Sequence, residues 1–137
     1  MSYKIISKFI KDVSFEIPDP QAFLMLEKEI SKYTLNFDIT SKPFKNNIIE
    51  VNTVLRTTPN QEVKHKVLAE ITCTALVSLE ENFENKKELE KIILIKIPKE
   101  IYPTLYATFV YLFNKAGVQN IQIDKEVDFE KLYNERK

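Results

Sequence analysis

The chain has 137 residues, 44% of them hydrophobic, which predicts a single domain over residues 1–137 with one core. Its 20 basic and 20 acidic side chains cancel, which argues against nucleic-acid binding and attraction to anionic membranes. The lone Cys73 excludes an intrachain disulfide, and no stretch has the apolar character of a signal peptide or a membrane span. We therefore expect a soluble, cytoplasmic protein without stable membrane insertion.

The first predicted strand lies in FIKDVSFEIP, residues 9–18. Odd-numbered apolar residues alternate there with even-numbered polar ones, and only Lys11 breaks the pattern. Such alternation predicts one face in the core and one in water. Asp12 and Glu16 fall on the wet face. The predicted core face carries Phe9, Val13, Phe15 and Ile17.

Three further strands follow, in KYTLNFDIT (32–40), IIEVNTVLRTT (48–58) and VKHKVLAEITCTALVSL (63–79). Short reversals between them favour an antiparallel sheet with one face open to water. The longer connection after the first strand contains QAFLML. Its apolar run either lines an open groove or packs over the sheet edge, and both interpretations stay open.

The main helix is predicted in KEIYPTLYATFVYLFNKAG, residues 99–117, with Gly117 as a left-handed cap. The preceding segment 80–98 reads as a helical turn followed by an extended piece. Asp128 is expected to cap a short last helix. Because the main helix is apolar on most sides, a second subunit is expected to cover it. The residues assigned to that oligomer interface are Leu105, Phe109, Val110, Leu112 and Phe113.

No group of residues in the sequence has the spacing of a catalytic or metal site. His65 and Cys73 lie on one predicted strand about 27 Å apart, too far to act together. We interpret His65 as structural and Cys73 as a small core residue. Asp12 and Glu16 are about 13 Å apart and form no acid–base pair. The sequence therefore predicts no enzyme, no cofactor and no metal.

Several segments, taken in order, resemble the protein-export chaperone SecB family. They are FIKDVSFEIP, YTLNFDIT, IIEVNTVLR, VLAEI, IYPTLY, AGVQNIQI and VDFEKLY. The resemblance covers nearly all of the chain and implies an α+β fold, in which a four-stranded antiparallel sheet carries a long apolar helix and a short C-terminal helix on one face. It also implies a homotetramer, a dimer of dimers with the long helices between two eight-stranded sheets.

The resemblance implies an ATP-independent holdase that binds unfolded preproteins and delivers them to the translocase motor SecA. Matched motif to motif, the family's SecA-docking positions fall on Asp12, Glu16, Leu68 and Glu70. Our candidates for the client-binding groove are Phe23, Leu24, Met25, Leu26, Tyr102 and Tyr106.

Two alternatives remain open. One is a dedicated SecB-like chaperone of a single partner such as an antitoxin, which would have no need of the motor. The other is a non-chaperone scaffold whose apolar helix serves only assembly.

Overall fold

The computed structural model describes residues 3–80, 85–119, 121 and 123–135. Four strands, β1 (Tyr3–Glu16), β2 (Tyr33–Lys45), β3 (Ile48–Pro59) and β4 (Leu68–Leu79), form an antiparallel sheet in the order β1-β4-β3-β2. Helices cover one face of this sheet. The predicted α+β class and four-stranded sheet are confirmed.

Two β-bulges change the faces of β1. The pairing with β4 skips a residue at Ile6 and again at Lys11. Because each extra residue reverses the alternation, Ile10 rather than Phe9 points to the core, opposite Cys73. Phe9 lies opposite Thr74 on the open face and is 49% exposed. The prediction that Phe9 faces the core is therefore wrong.

Helix α1 (Pro20–Glu29) occupies the long connection between β1 and β2, followed by a 3₁₀ turn at Ile30–Lys32. Asp19 caps α1, because its Oδ1 accepts a hydrogen bond from the Ala22 amide at 2.8 Å. Pro20 suits the first turn, which needs no amide donor there. QAFLML is thus helical, and its Leu26 is buried in the core rather than in an open groove.

Helix α2 (Lys86–Lys91) continues through a π turn (Ile92–Lys96) into α3 (Ile97–Lys115). The prediction of an extended piece before Pro98 is therefore wrong. Pro98 has no amide proton to continue an α-helical ladder, and a π turn shifts the hydrogen-bond register just before it.

Helix α4 (Phe129–Glu135) follows Asp128, whose Oδ1 accepts from the Lys131 amide at 3.0 Å, which confirms the predicted cap. Within the described ranges no helix is both long and apolar enough to cross a bilayer.

One face of α3 forms the centre of the core against β3 and β4. Leu105, Phe109 and Phe113 recur every four residues on that face, and each is at most 1% exposed. They lie inside a single chain, so the prediction that they contact a second subunit is wrong. Val110 and Leu112 are only half-buried. Cys73 is fully buried in the sheet, as expected.

Helix α3 ends in a Schellman motif. The Val118 amide donates to the Phe113 carbonyl at 2.8 Å and the Gly117 amide to the Asn114 carbonyl at 3.1 Å. Gly117 has φ +103°, the conformation that this motif requires and that a side chain disfavours. The predicted glycine cap is confirmed.

The Gly117→Ala substitution is expected to lower the free energy of unfolding by about 1–2 kcal/mol. The new Cβ would meet both the unfavourable φ and the Phe23 ring, whose Cε1 would be 3.2 Å away. Urea unfolding measures the loss. Asn114→Ala, an exposed change in the same turn, serves as the control. A Gly117→Ala midpoint equal to that of wild type would contradict the assignment.

Candidate functional site

An apolar trough follows β2 at the edge of the sheet. Among the described residues β2 pairs only with β3, and the π turn lies against both β2 and α4. Two clefts of about 400 Å³ and about 250 Å³ open here and share Ile39 and Leu94. We call their combined apolar lining the edge trough: Leu35, Phe37, Ile39, Leu89, Ile93, Leu94, Phe129, Leu132 and Tyr133.

A third cleft, of about 690 Å³, continues the edge trough past Phe129 towards the first turns of α3. Tyr102 and Pro103 form part of its wall, and charged side chains surround it. The Tyr102 hydroxyl donates a hydrogen bond to the Asp124 carbonyl. Burial, reinforced by the Asp124 charge, raises the pKa of Tyr102 to about 12. Its phenol is therefore neutral at physiological pH and acts as a wall of the cleft.

Three aromatic rings fasten α4 and α3 to β2. The Phe37 ring centroid lies 5.8 Å from that of Tyr102 and 5.1 Å from that of Phe129, and the last two are 6.0 Å apart. All three contacts are edge-to-face, an arrangement that the ring quadrupoles favour. The junction between the edge trough and the third cleft is thus held by aromatic packing.

The predicted groove residues do not form one surface. Phe23 is 38% exposed and Leu24 is 68% exposed on α1, where the Phe23 ring lies beside Gly117 at the far end of α3. Tyr102 lies 15 residues earlier on the helical path, about 22 Å away at the α-helical rise. It is 3% exposed, and Tyr106 stands beside it with ring centroids 6.2 Å apart. We call the exposed residues Phe23 and Leu24, together with the half-buried Met25, the α1 patch.

The opposite face of the sheet, which none of the described helices covers, is called the outer face. The strand register places Asp12, Glu16, Leu68 and Glu70 on it, with Glu16 directly opposite Leu68. Leu68 is 47% exposed. The Arg56 Nε donates to Glu70 Oε1 at 2.8 Å, so this carboxylate is paired, whereas Asp12 and Glu16 form no ion pair with any described residue.

Glu50 is the centre of a polar network on the outer face. The buried Thr74 hydroxyl donates to Asn52 Oδ1 at 2.6 Å, and Asn52 Nδ2 donates to Glu50 Oε2 at 2.8 Å. The Nζ atoms of Lys42 and Lys11 lie 3.7 Å and 4.0 Å from the same oxygen. The Asn52 hydrogen bond, followed by the two lysine charges, lowers the pKa of Glu50.

The lowered pKa of Glu50 predicts an acid-dependent loss of stability. The stabilisation is fully present above the pKa of the unfolded state and is lost as the pH falls through the lower pKa of the folded state. The urea midpoint of Glu50→Gln should therefore fall less than that of wild type between about pH 5 and about pH 3. Glu27→Gln, at an exposed site on α1, is the control. Equal slopes for wild type and Glu50→Gln would refute the prediction.

His65 and Cys73 occupy separate places. β4 begins at Leu68, so His65 lies in the connection before it and not on the strand as predicted. Its Nδ1 is 3.3 Å from Asp19 Oδ2. The pKa of Asp19 is lowered, first by the Ala22 amide and less by His65. Burial raises the pKa of the Cys73 thiol. Among the residues that the structure describes, no three His, Cys, Asp or Glu side chains are grouped as a metal site.

Known proteins resemble this chain in sequence over nearly its whole length. The family model described as "Preprotein translocase subunit SecB" matches residues 1–137. The chain belongs to the SecB family. A putative protein-export protein SecB of Pelagibacter ubique (strain HTCC1062) is 47% identical over 135 residues, covering 98% of this chain and 96% of the relative. The protein-export protein SecB of Rhodospirillum rubrum is 26% identical over 133 residues, covering 96% and 80%. SecB membership assigns the chain a chaperone role in protein export.

A solved SecB-like chaperone shares the fold. The Mycobacterium tuberculosis protein, in complex with a ChAD peptide from the HigA1 antitoxin, superposes with a TM-score of 0.65 over 89% of this chain and 88% of that one. The two sequences are 14% identical, so the likeness is one of fold.

The residues that line the edge trough were missed by the sequence reasoning. The alternation in YTLNFDIT identifies Leu35, Phe37 and Ile39 as one face of a strand. Nothing in that pattern says that the strand is at a sheet edge or that Leu94 and Leu132 lie beside it. The apolar run before Pro98 was the sequence feature that could have indicated part of this lining.

Proposed function

We propose that the protein is an ATP-independent cytoplasmic holdase that binds unfolded preproteins and delivers them to the translocase motor SecA. The observation that carries this proposal is the apolar edge trough beside the unpaired edge of β2. An unfolded chain exposes both apolar side chains and unsatisfied backbone groups, and this edge offers a partner for each. The function requires no catalytic step.

An extended client segment would bind as an added strand along β2. Backbone hydrogen bonds to a strand edge are independent of client sequence, while alternate client side chains enter the clefts. Ile39 and Leu94, which line both clefts of the edge trough, would contact the same apolar client side chain. The α1 patch and the Tyr102–Tyr106 pair would provide further contacts for longer clients. Binding of this kind selects apolar, extended chains with little sequence preference.

Suppression of aggregation tests the holdase activity. A protein diluted from urea should remain soluble when the chaperone is in molar excess and without ATP. A non-chaperone scaffold would leave aggregation unchanged, and this result would reject the proposal.

The antitoxin peptide bound to the Mycobacterium tuberculosis neighbour supports a second candidate, a dedicated chaperone of one partner. Such a protein would protect that partner and not unrelated unfolded chains.

SecA would dock on the outer face around Asp12, Glu16, Leu68 and Glu70. Exposed Leu68 gives this surface an apolar centre, and Asp12 and Glu16 have no competing ion pair among the described residues. Charges at the edge of such an interface mainly set the encounter rate and the orientation. Affinity should therefore fall as salt rises.

The Asp12→Lys, Glu16→Lys double variant is expected to bind SecA at least about ten-fold more weakly than wild type. Both side chains are exposed on the outer face, away from the core and from the edge trough. Calorimetric titration of the organism's own SecA at low and moderate salt measures the change. Aggregation suppression serves as the internal control and should be retained. Equal affinities would reject this docking site, and undetectable binding to either protein would favour the dedicated chaperone.

We also propose a homotetramer. The solvent side of α3 carries Tyr111, which is 58% exposed, together with the half-buried Tyr106 and Val110. An apolar helix face of this kind is typically covered in an assembly. Light scattering at micromolar concentration should give four times the mass of the chain, and a monomer would reject the assembly.

A further inference from the structure

The charges of the outer face are separated along the strands. One end, the acidic end, has four carboxylates against one arginine: Asp12, Glu16, Asp38, Glu70 and Arg56. The other, the basic end, has three lysines against one glutamate: Lys4, Lys42, Lys45 and Glu50. Lys11 is bulged beside Asp12, and its Nζ reaches towards the basic end, 4.0 Å from Glu50 Oε2. The two ends are about 20 Å apart at the rise of a strand. A chain with no net charge thus presents a strongly dipolar face.

Internal ion pairs leave charges unpaired at both ends. Arg56 binds Glu70, and Glu50 is shared by Lys42 and Lys11. Within the described part of the chain, Asp12, Glu16 and Asp38 keep no ion pair at the acidic end, and Lys4 and Lys45 keep none at the basic end. Lys45 instead lies over the Phe44 ring, with its Nζ 5.3 Å from the centroid. Charges of opposite sign are therefore available at opposite ends of one surface.

Less polar residues occupy the middle of the outer face. The central row across the four strands is Phe9, Thr74, Asn52 and Thr40. Phe9 is 49% exposed there, because of the bulge at Lys11. Val54 and Leu76 lie on either side of that row and are half-buried. The middle is thus uncharged, with Phe9, Val54 and Leu76 as its apolar residues, and depletion of charge at the centre is typical of protein interfaces.

We propose that the outer face binds the outer face of a second copy of this chain, about a two-fold axis that crosses the strands at the central row. This operation places the acidic end of each copy over the basic end of the other. On β2, Asp38 and Lys42 stand two residues on either side of Thr40, so each Asp38 comes to lie over the Lys42 of the second copy. On β1, Asp12 comes to lie over Ser7 of the second copy, one row of the register away from its Lys4, and the two Phe9 rings meet at the axis.

The size and charge of the surface suit this occupant. Four strands of about 12 residues make a face of roughly 40 by 19 Å, or about 1,500 Å² buried in the pair, which is a standard interface. Stacked sheets align their strands to within about 30°, which keeps each end over its complement. The zero net charge of the chain leaves no long-range repulsion between copies. Since many contacts are between exposed charges, the pair should be weak and sensitive to salt.

Sedimentation velocity at about 20 mM and about 300 mM salt tests the pairing. At tens of micromolar chain, the wild-type mass at low salt should be at least twice its value at high salt. An assembly formed through α3 is present at both salt concentrations, and because it has more than one outer face, its pairing raises the mass by two-fold or more. An unchanged mass at low salt would overturn the proposal.

Complementary charge reversal identifies the surface. Asp12→Lys with Asp38→Lys makes both ends basic, and Lys4→Glu with Lys45→Glu makes both ends acidic. Each variant alone should keep its high-salt mass at low salt, whereas an equimolar mixture should again double. Recovery in the mixture also shows that both variants are folded. Doubling by either variant alone, or no doubling in the mixture, would overturn the pairing.

The outer face also carries the proposed SecA-docking residues, but the two ideas are separable. Lys4→Glu with Lys45→Glu should abolish self-association and leave Asp12, Glu16 and Glu70 in place. SecA titration into that variant at moderate salt, where copies do not pair, should match wild type. If this variant no longer self-associates and binds SecA as wild type does, the pairing of outer faces is supported. If it still self-associates but has lost SecA binding, the pairing is overturned.

Discussion

Replacing Phe109 by alanine is expected to lower the free energy of unfolding by about 3–5 kcal/mol. Phe109 is fully buried between α3 and the sheet, and its ring centroid lies 5.0 Å from that of Phe113. Removing the ring loses the favourable free energy of burying it away from water. It also leaves a cavity that a helix packed on a sheet cannot close. Small domains are stable by about 5–15 kcal/mol, so the variant should lose a large share of its stability.

Urea unfolding followed by circular dichroism measures this loss, at a protein concentration low enough that the chain is dissociated in every sample. Tyr111→Ala is the matched control, because it removes a ring of similar size from the exposed side of the same helix. Its unfolding free energy in the dissociated chain should change by less than about 0.5 kcal/mol. If both variants lost the same amount, the burial of α3 described above would be wrong.

The Leu132→Asp substitution is expected to weaken the binding of unfolded clients by about ten-fold or more. Leu132 lines the edge trough and is 39% exposed, so the folded chain tolerates a carboxylate there while the client site does not. Closing an apolar client segment over that charge would desolvate it without a partner. Fluorescence anisotropy of a labelled, permanently unfolded protein measures the affinity.

Leu24→Asp provides the matched comparison, since it makes the same change on another short helix at an even more exposed leucine. It should cost less than about three-fold if the α1 patch only assists binding. A larger loss for Leu24→Asp than for Leu132→Asp would move the principal client site to the α1 patch. Urea midpoints close to wild type for both variants exclude unfolding as the cause.

The sheet was predictable where one local pattern decides it. In β2 the alternation from Tyr33 to Ile39 runs without interruption, and the structure keeps it. In β1 the bulges at Ile6 and Lys11 depend on how β4 pairs with it, which the sequence of β1 alone does not contain. The helical nature of 86–98 was missed because Pro98 reads as a stop signal, whereas in the structure a π turn precedes Pro98 and the chain remains helical through it.

The two candidate surfaces differ in how far the sequence could reveal them. Outer-face residues such as Asp12 and Glu70 follow from a period of two within single strands. The edge trough is built from three distant segments, 35–39, 89–94 and 129–133, that meet only in the folded chain. The α3 stripe was read correctly as apolar, but its Phe109 side faces the chain's own sheet, and sequence periodicity cannot distinguish that neighbour from a second subunit.

The two exposed edges of the sheet are not equivalent. β1 is interrupted by bulges at Ile6 and Lys11, which bend the strand and break its regular series of free amides and carbonyls. Along Tyr33–Pro43, β2 keeps an unbroken register with β3 and presents a regular series. A passing extended chain therefore finds several consecutive backbone partners at one edge and only short runs at the other. This asymmetry would direct unfolded chains to β2 and leave β1 to more specific pairing.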